Sequence, residues 1–168
     1  MTISMYQASA PRFANTLKNL AAILDKAKAH AGARKIDEQV LTSSRLYPDM
    51  FALARQVQIA CDTAKGAVAR LAGVEIPKHE DTEKTFDELQ ERIAKTLAFI
   101  ATVKAAQVDG TEDKEVVLKL QGNDVPFKGL QYLLGFAWPN FYFHVTTAYN
   151  ILRHNGIELS KRDFVGTP

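Results

Sequence analysis

The stretch that decides the fold is WPNFYFHVTTAYNILRHNG, residues 138–156. A proline in the first turn and an Asn-Gly pair after the last turn mark the two ends of one helix. Within it, Phe141, Val145 and Leu152 recur at the intervals that place side chains on one helical face. The segment therefore predicts an amphipathic helix that packs its apolar face into a helical core.

Upstream, the same periodicity predicts three further long helices, over residues 4–31, 47–71 and 82–105. Gly32 ends the first of them, and Pro48 lies in the opening turn of the second. The third begins with Thr85 and Glu88 at the spacing of a capping box, in which the two side chains satisfy free amides of the first turn.

A short β-hairpin separates the third helix from the last. Residues 115–121 alternate between polar and apolar side chains, Gly122-Asn123 is a two-residue turn pair, and residues 124–128 return as the second strand. A chain of 168 residues has the length of one domain. We therefore predict a single all-α domain over residues 1–168, a four-helix bundle with a small β-hairpin between helices three and four.

Charge and composition exclude several functions. Lys and Arg number 21 against 19 Asp and Glu, and the two signs alternate along the chain, so we expect no nucleic-acid partner and no membrane surface. No apolar run approaches the roughly 20 residues that a membrane span needs. Cys61 is the only cysteine and has no disulfide partner within the chain, which favours a reducing compartment. We expect the protein to be cytoplasmic.

Three of the four histidines have positions that predict different surroundings. His144 falls within the apolar stripe of the last helix and should point inward, whereas His154 should point outward. Ten residues of helix separate them, so they cannot hold one ion from one face. His79 lies in a polar, proline-containing loop over residues 74–81, where we expect it to be in solvent.

Polar residues also accompany the stripe of the second helix. Gln56 flanks the stripe and could donate or accept a hydrogen bond at the rim of a pocket, while Cys61 faces inward as a small buried hydrophobe. Asp62 and Lys65 have the spacing of a surface ion pair. His144, Tyr149, Gln56 and Cys61 are thus the candidate residues of a ligand pocket between the second and fourth helices.

Motifs of the common enzyme classes are missing from the sequence. It contains no glycine-rich phosphate loop, no Glu-x-x-His pair, no His-Glu-x-x-His and no Gly-x-Ser-x-Gly. The aromatic run over residues 136–143 places apolar side chains on both faces of the chain, which is more than one core needs. We expect part of this run to face a partner chain or a ligand.

Several segments together resemble an uncharacterised bacterial family within the DinB/YfiT-like superfamily. They are residues 4–6, 51–73, 139–156 and 161–164. The resemblance implies a helical bundle that is often dimeric. Many members of that superfamily hold a divalent metal with three histidines, one on helix two and two on helix four, and several are thought to be thiol transferases or hydrolases.

This chain departs from the three-histidine pattern of the superfamily. His144 matches the first histidine of helix four, but the following ligand positions fall on Thr147 and Ala148, and helix two contains no histidine. A catalytic zinc centre takes about three protein ligands. The resemblance therefore implies the fold and a homodimer, without a built-in metal.

Three hypotheses follow. The first is a homodimer with a small-molecule pocket lined by His144, Tyr149 and Gln56 and with no cofactor. The second is a metal-dependent thiol transferase or hydrolase, in which His144 with Cys61 or the glutamines holds zinc or nickel in a degenerate site. The third is an interaction module whose helix-four aromatic residues form the seam between two copies.

Overall fold

The structure, a computed structural model, describes residues 3–166 and consists of short and long helices around one hydrophobic core. In chain order the elements are α1 (Met5–Ala8), α2 (Ala10–Arg34), α3 (Glu38–Thr42), α4 (Leu53–Ala72), α5 (Phe86–Thr102), α6 (Ala105–Val108), β1 (Glu115–Leu120), β2 (Asn123–Lys128), α7 (Gly129–Tyr132), α8 (Trp138–His154) and α9 (Lys161–Val165). The predicted all-α bundle with one hairpin before the last long helix is confirmed.

The four long helices form the bundle. Helix α4 lies between α5 and α8, and α2 closes the bundle against α5 and α8. Where α2 meets α8, the buried rings of Phe13 and Phe141 pack edge to face with their centroids 4.9 Å apart. The side of α4 that faces α8 and the side that faces α5 have different buried polar groups, which are described below.

The first predicted helix is interrupted at its start and continues beyond its predicted end. Ser9 separates α1 from α2 with φ −120° and ψ −87°. Pro11 has no amide hydrogen to donate to the carbonyl of residue 7, so one continuous helix cannot form there. The predicted stop at Gly32 is wrong: α2 continues to Arg34 and ends where Lys35 adopts the left-handed conformation, φ 54°.

The second long helix begins at Leu53, so the prediction that Pro48 opens it is wrong. Pro48 lies in a turn closed by the Met50 amide on the Tyr47 carbonyl, 3.0 Å apart. The Leu53 amide then bonds the Ser44 carbonyl at 2.9 Å. These local hydrogen bonds hold the segment as a loop and leave Met50 outside the helical stripe.

The third long helix and the hairpin agree closely with their predictions. The capping box of Thr85 and Glu88 forms, so α5 begins at Phe86 and not at residue 82. The helix ends at Thr102, earlier than predicted, because Val103 is extended. The hairpin strands pair in antiparallel register from Glu115 with Lys128 to Leu120 with Asn123. The turn is one residue earlier than predicted: Gln121 and Gly122 both have positive φ, 50° and 85°, as a type I′ turn requires.

The last long helix has a longer N-terminal approach than predicted. A π-helical turn over Leu133–Ala137 joins α7 to α8, so the chain is helical from Gly129 through the predicted start at Trp138. The predicted C-terminal end at Asn155 and Gly156 is confirmed. Within residues 3–166, the structure contains no helix that is both long and apolar enough to span a membrane.

Substitution of alanine for two of the glycines should change the stability of the protein in opposite directions. A Cβ on Gly129 would overlap the Thr111 carbonyl oxygen, whereas one on Gly32, inside α2, would meet no atom within 4 Å. We expect Gly129→Ala to lower the free energy of unfolding by about 2 kcal/mol, because a backbone atom must move. Gly32→Ala should raise it by about 0.5–1 kcal/mol through the smaller entropy of the unfolded chain. Urea denaturation measures both, and equal effects would contradict this packing.

Candidate functional site

The predicted inward position of His144 is confirmed, since the residue is 8% exposed and faces α4. Its Nδ1 lies 2.7 Å from Oε1 of Gln56. Nε2 of the same glutamine donates to the Phe51 carbonyl at 3.0 Å. A loop carbonyl, a buried amide and the imidazole therefore form one hydrogen-bonded relay between α4 and α8.

This relay determines which nitrogen of His144 carries the proton. The Phe51 carbonyl can only accept, so it orients the Gln56 amide with its NH₂ group toward the loop and its oxygen toward the ring. That oxygen in turn requires a hydrogen on Nδ1. A neutral ring then has its lone pair on Nε2, and no described residue forms a hydrogen bond with that nitrogen.

The surroundings favour the neutral ring. Burial lowers the pKa of His144, and the nearby positive charge of Arg55 lowers it further. At neutral pH the side chain is therefore an uncharged hydrogen-bond acceptor at Nε2.

Exposed aromatic side chains belong to two residues at this relay, Phe143 beside His144 and Phe51, whose carbonyl binds Gln56. Phe143 packs edge to face on the His144 ring with centroids 5.3 Å apart, yet 58% of its surface is exposed. Phe51 is 55% exposed, and the Arg55 guanidinium lies 5.9 Å from the centre of its ring. The arrangement can offer one acceptor nitrogen and two apolar faces to a small molecule.

The structure does not bring the other two candidates to His144. Tyr149 packs edge to face against Phe164 of α9, with ring centroids 5.9 Å apart. Cys61 is fully buried among side chains of α4 and α5, and burial raises the pKa of its thiol to about 12. At neutral pH the thiol is therefore protonated.

The donor set near His144 does not fit a divalent metal. In residues 3–166, no three His, Cys, Asp or Glu side chains come together as such a site would need. Thr147 of α8 donates its hydroxyl to the Phe143 carbonyl, and Ala148 has no donor atom. A single imidazole with a glutamine oxygen already bonded to its Nδ1 falls short of three ligands.

A second polar centre, between α4 and α5, was not predicted. Arg92 is 2% exposed, and its guanidinium pairs with Asp62 at 2.8 Å, Asp81 at 2.9 Å and Glu83 at 2.9 Å. Lys65 is also buried and binds the same Asp62 oxygen at 2.8 Å. We refer to these five residues as the Arg92 cluster.

The Arg92 cluster corrects two predictions. The pair of Asp62 and Lys65 is not a surface pair, because Lys65 is 4% exposed. His79 does not lie free in solvent: its Nδ1 is buried without a partner, and burial, followed by the charges of Lys65 and Arg92, lowers its pKa. The missed signal was Arg92 itself, which lies between Leu89 and Thr96 on the inward face of α5.

Four long helices with a hairpin before the last, and a histidine that faces α4 from α8, define a DinB-like bundle. The chain is similar to a solved structure described as a DinB family member protein from Shewanella denitrificans, with 45% identity and a TM-score of 0.90 over 97% of this chain and 92% of the other. No curated protein matches the sequence.

A family model matches residues 5–165, almost the whole described chain. The protein belongs to the family described as a domain of unknown function, DUF1993. The predicted membership of an uncharacterised family of DinB-like proteins is thereby confirmed.

Proposed function

We propose that this DUF1993 protein is a homodimeric bundle that binds a small molecule at His144 without a metal ion. The observation that carries the proposal is the relay from the Phe51 carbonyl through Gln56 to His144, which leaves Nε2 without a protein partner. The protein does not enclose Nε2, so its unpaired lone pair is accessible to a ligand that donates a hydrogen bond.

The chemistry of the site indicates the kind of ligand. Nε2 would accept a hydrogen bond from an O–H or N–H group, and the exposed faces of Phe51 and Phe143 would cover an aromatic or aliphatic body. Phenol has both features and serves as the probe. The competing hypothesis, a thiol transferase or hydrolase with zinc or nickel at His144, needs ligands that Thr147 and Ala148 do not supply.

Two measurements on untagged protein separate the hypotheses. Elemental analysis should find zinc, nickel and iron far below one per chain. Phenol should perturb the ring resonances of His144 and Phe143 in wild-type protein and in a His154→Ala variant, which changes an exposed histidine of the same helix. It should not perturb Phe143 in His144→Ala.

Two results would contradict the proposal. Near-stoichiometric metal that disappears in His144→Ala would support the metal-dependent enzyme. Phenol binding that is unchanged in His144→Ala would show that Nε2 is not the recognition group.

The dimer surface that we propose is an apolar stripe of four residues. Leu130, Leu134, Trp138 and Tyr142 follow one another at intervals of four along the helical segment that contains α7 and α8, and they line one groove of about 570 Å³. Leu130, Leu134 and Tyr142 are 41%, 44% and 36% exposed. Exposed apolar side chains in a row are typical of an interface.

Charges at the two ends of the apolar stripe favour a second copy as the occupant. Glu112 lies beside Leu130, whose amide bonds its carbonyl at 2.9 Å. Arg12 lies at the other end, where its neighbour Phe13 contacts Phe141. In a twofold arrangement the acidic end of one copy meets the basic end of the other, as an isologous interface requires.

A charge in the middle of the apolar stripe should dissociate the dimer. We expect Leu134→Glu to weaken self-association at least tenfold, because a carboxylate would be buried without a partner. The matched control is Val117→Glu on strand β1, where a valine is 48% exposed outside the groove. Sedimentation velocity over a concentration series measures both variants. A wild-type monomer, or equal association of the two variants, would contradict this interface.

A further inference from the structure

A polar cavity of about 530 Å³ lies beside the Arg92 cluster, between α5 and the loop that precedes it. Every residue that lines it is polar or charged: Lys78, His79, Glu80, Thr82, Glu83, Glu88, Glu91, Arg92 and Lys95. His144 is not among them. The cavity is therefore separate from the proposed site at His144, and the inference below does not rest on that site.

Two residues that line this cavity, Arg92 and His79, each have a buried nitrogen that lacks a partner. Four of the five N–H hydrogens of Arg92 lie on its terminal nitrogens, which bind Asp62, Asp81, Glu83 and the Glu80 carbonyl. The fifth is on Nε, which is buried and unpartnered, and so is Nδ1 of His79. Nε of Arg92 always has a hydrogen, and Nδ1 of a neutral His79 has one in one of its two tautomers. Because buried N–H groups without an acceptor are rare in native proteins, an acceptor-rich guest would complement both positions.

The rim of the cavity adds one open charge of each sign. Lys78 and Glu80 both line the opening, and no described residue forms a salt bridge with either side chain. The other lining charges are already used: Glu91 pairs with Lys95 at 2.7 Å, and Glu88 caps α5 through the amides of Lys84 and Thr85. A guest with charges of both signs would complement this rim.

We propose that this cavity binds a free amino acid. Its carboxylate would accept hydrogen bonds from Nε of Arg92 and from an Nδ1–H of His79, with Lys78 close by. Its ammonium group would pair with Glu80. The Arg92 guanidinium stays fixed by its three carboxylate partners, so the side chain that would bind the guest is already positioned.

The test is calorimetric titration of the full chain with each of the twenty common amino acids, followed by the N-acetyl and methyl ester forms of whichever binds. We expect at least one amino acid to bind with a Kd below about 1 mM. The N-acetyl form lacks the positive charge of the amino acid, and the methyl ester lacks its negative charge. Each should bind at least tenfold more weakly, as expected for loss of a hydrogen bond or ion pair with a charged partner.

Variants of loop residues locate the binding. His79→Ala and Glu80→Gln should each weaken binding tenfold or more while circular dichroism remains that of wild type. Glu75→Gln changes an exposed carboxylate of the same loop outside the cavity and should bind normally. Failure of all twenty amino acids to bind, or unchanged affinity in both cavity variants, would overturn the proposal and indicate that water satisfies the two nitrogens. Neither result would affect the phenol experiment at His144.

Discussion

Replacement of Arg92 with leucine should lower the free energy of unfolding by about 3 kcal/mol. The guanidinium is 1% exposed and is the common partner of Asp62, Asp81 and Glu83. Without it, Asp62 keeps its pair with Lys65 and Asp81 its pair with Arg55, but Glu83 loses its salt-bridge partner. Removal of one partner from a buried ion network is strongly destabilising, because the remaining charges stay desolvated.

The expected loss lies at the low end of the range for buried ion pairs. Asp62 and Asp81 are 38% and 40% exposed, so water can partly solvate them, whereas Glu83 is 11% exposed. The matched control is Lys95→Gln, one turn further along α5, whose pair with Glu91 is exposed on both sides. That change should alter stability by less than about 0.5 kcal/mol. Urea denaturation measures both, and a loss below 1 kcal/mol for Arg92→Leu would contradict the structural role of the cluster.

Phe141→Ala should have a still larger effect, about 3–5 kcal/mol. Phe141 is fully buried where α2 crosses α8, and its loss would leave a cavity against Phe13 that the backbone cannot close. Phe143→Ala, two residues further along α8, removes the same number of atoms from a side chain that is 58% exposed. Phe143→Ala should lower the free energy of unfolding much less. Comparison of the two variants therefore separates the effect of burial from the effect of the residue type.

A double-mutant cycle can test the contact between the two rings directly. If Phe13 and Phe141 pack edge to face as the structure shows, Phe13→Ala and Phe141→Ala should couple by about 0.5–1.5 kcal/mol beyond additivity. Additive losses in the free energy of unfolding would indicate that the two rings do not contact each other.

Helical periodicity and end signals predicted most of the fold, because both are local. Asn155 and Gly156 end α8, and Thr85 with Glu88 begins α5, through contacts within one turn. The start of α4 was mispredicted because a local signal, a proline in a first turn, was the only evidence used. Pro48 has the right residue type for a first helical turn, but hydrogen bonds to Ser44 and Tyr47 hold its surroundings as a loop.

The candidate site was predictable only in part. The inward direction of His144 follows from its position among Val145, Ala148 and Leu152 on the helix. Its proton position does not, because that depends on Gln56, 88 residues away, and on a loop carbonyl at Phe51. Tyr149 is five residues after His144, about 140° around the helix, which explains why it contacts α9 instead.

The Arg92 cluster shows what residue patterns miss. Asp62 and Lys65 have the spacing of an exposed ion pair, and only the approach of α5 and the loop containing Asp81 makes them part of a buried network. A charged residue in an otherwise apolar stripe, as Arg92 is on α5, was the available signal. Such a residue is rarely buried unless it is paired, so it indicates a network that has to be completed from elsewhere in the chain.

The measurement that tests the account most directly is the tautomer and titration of His144, read from two-bond ¹H–¹⁵N correlations in histidine-labelled protein. At neutral pH we predict an uncharged ring with its hydrogen on Nδ1 and its lone pair on Nε2. In Gln56→Leu, which removes the acceptor for the Nδ1 hydrogen, the ring should no longer favour the hydrogen on Nδ1 over Nε2. The pKa should lie below 6.5, because burial and Arg55 disfavour the charged ring. A hydrogen on Nε2, or a charged ring at neutral pH, would contradict the proposal that His144 presents an open acceptor to a ligand.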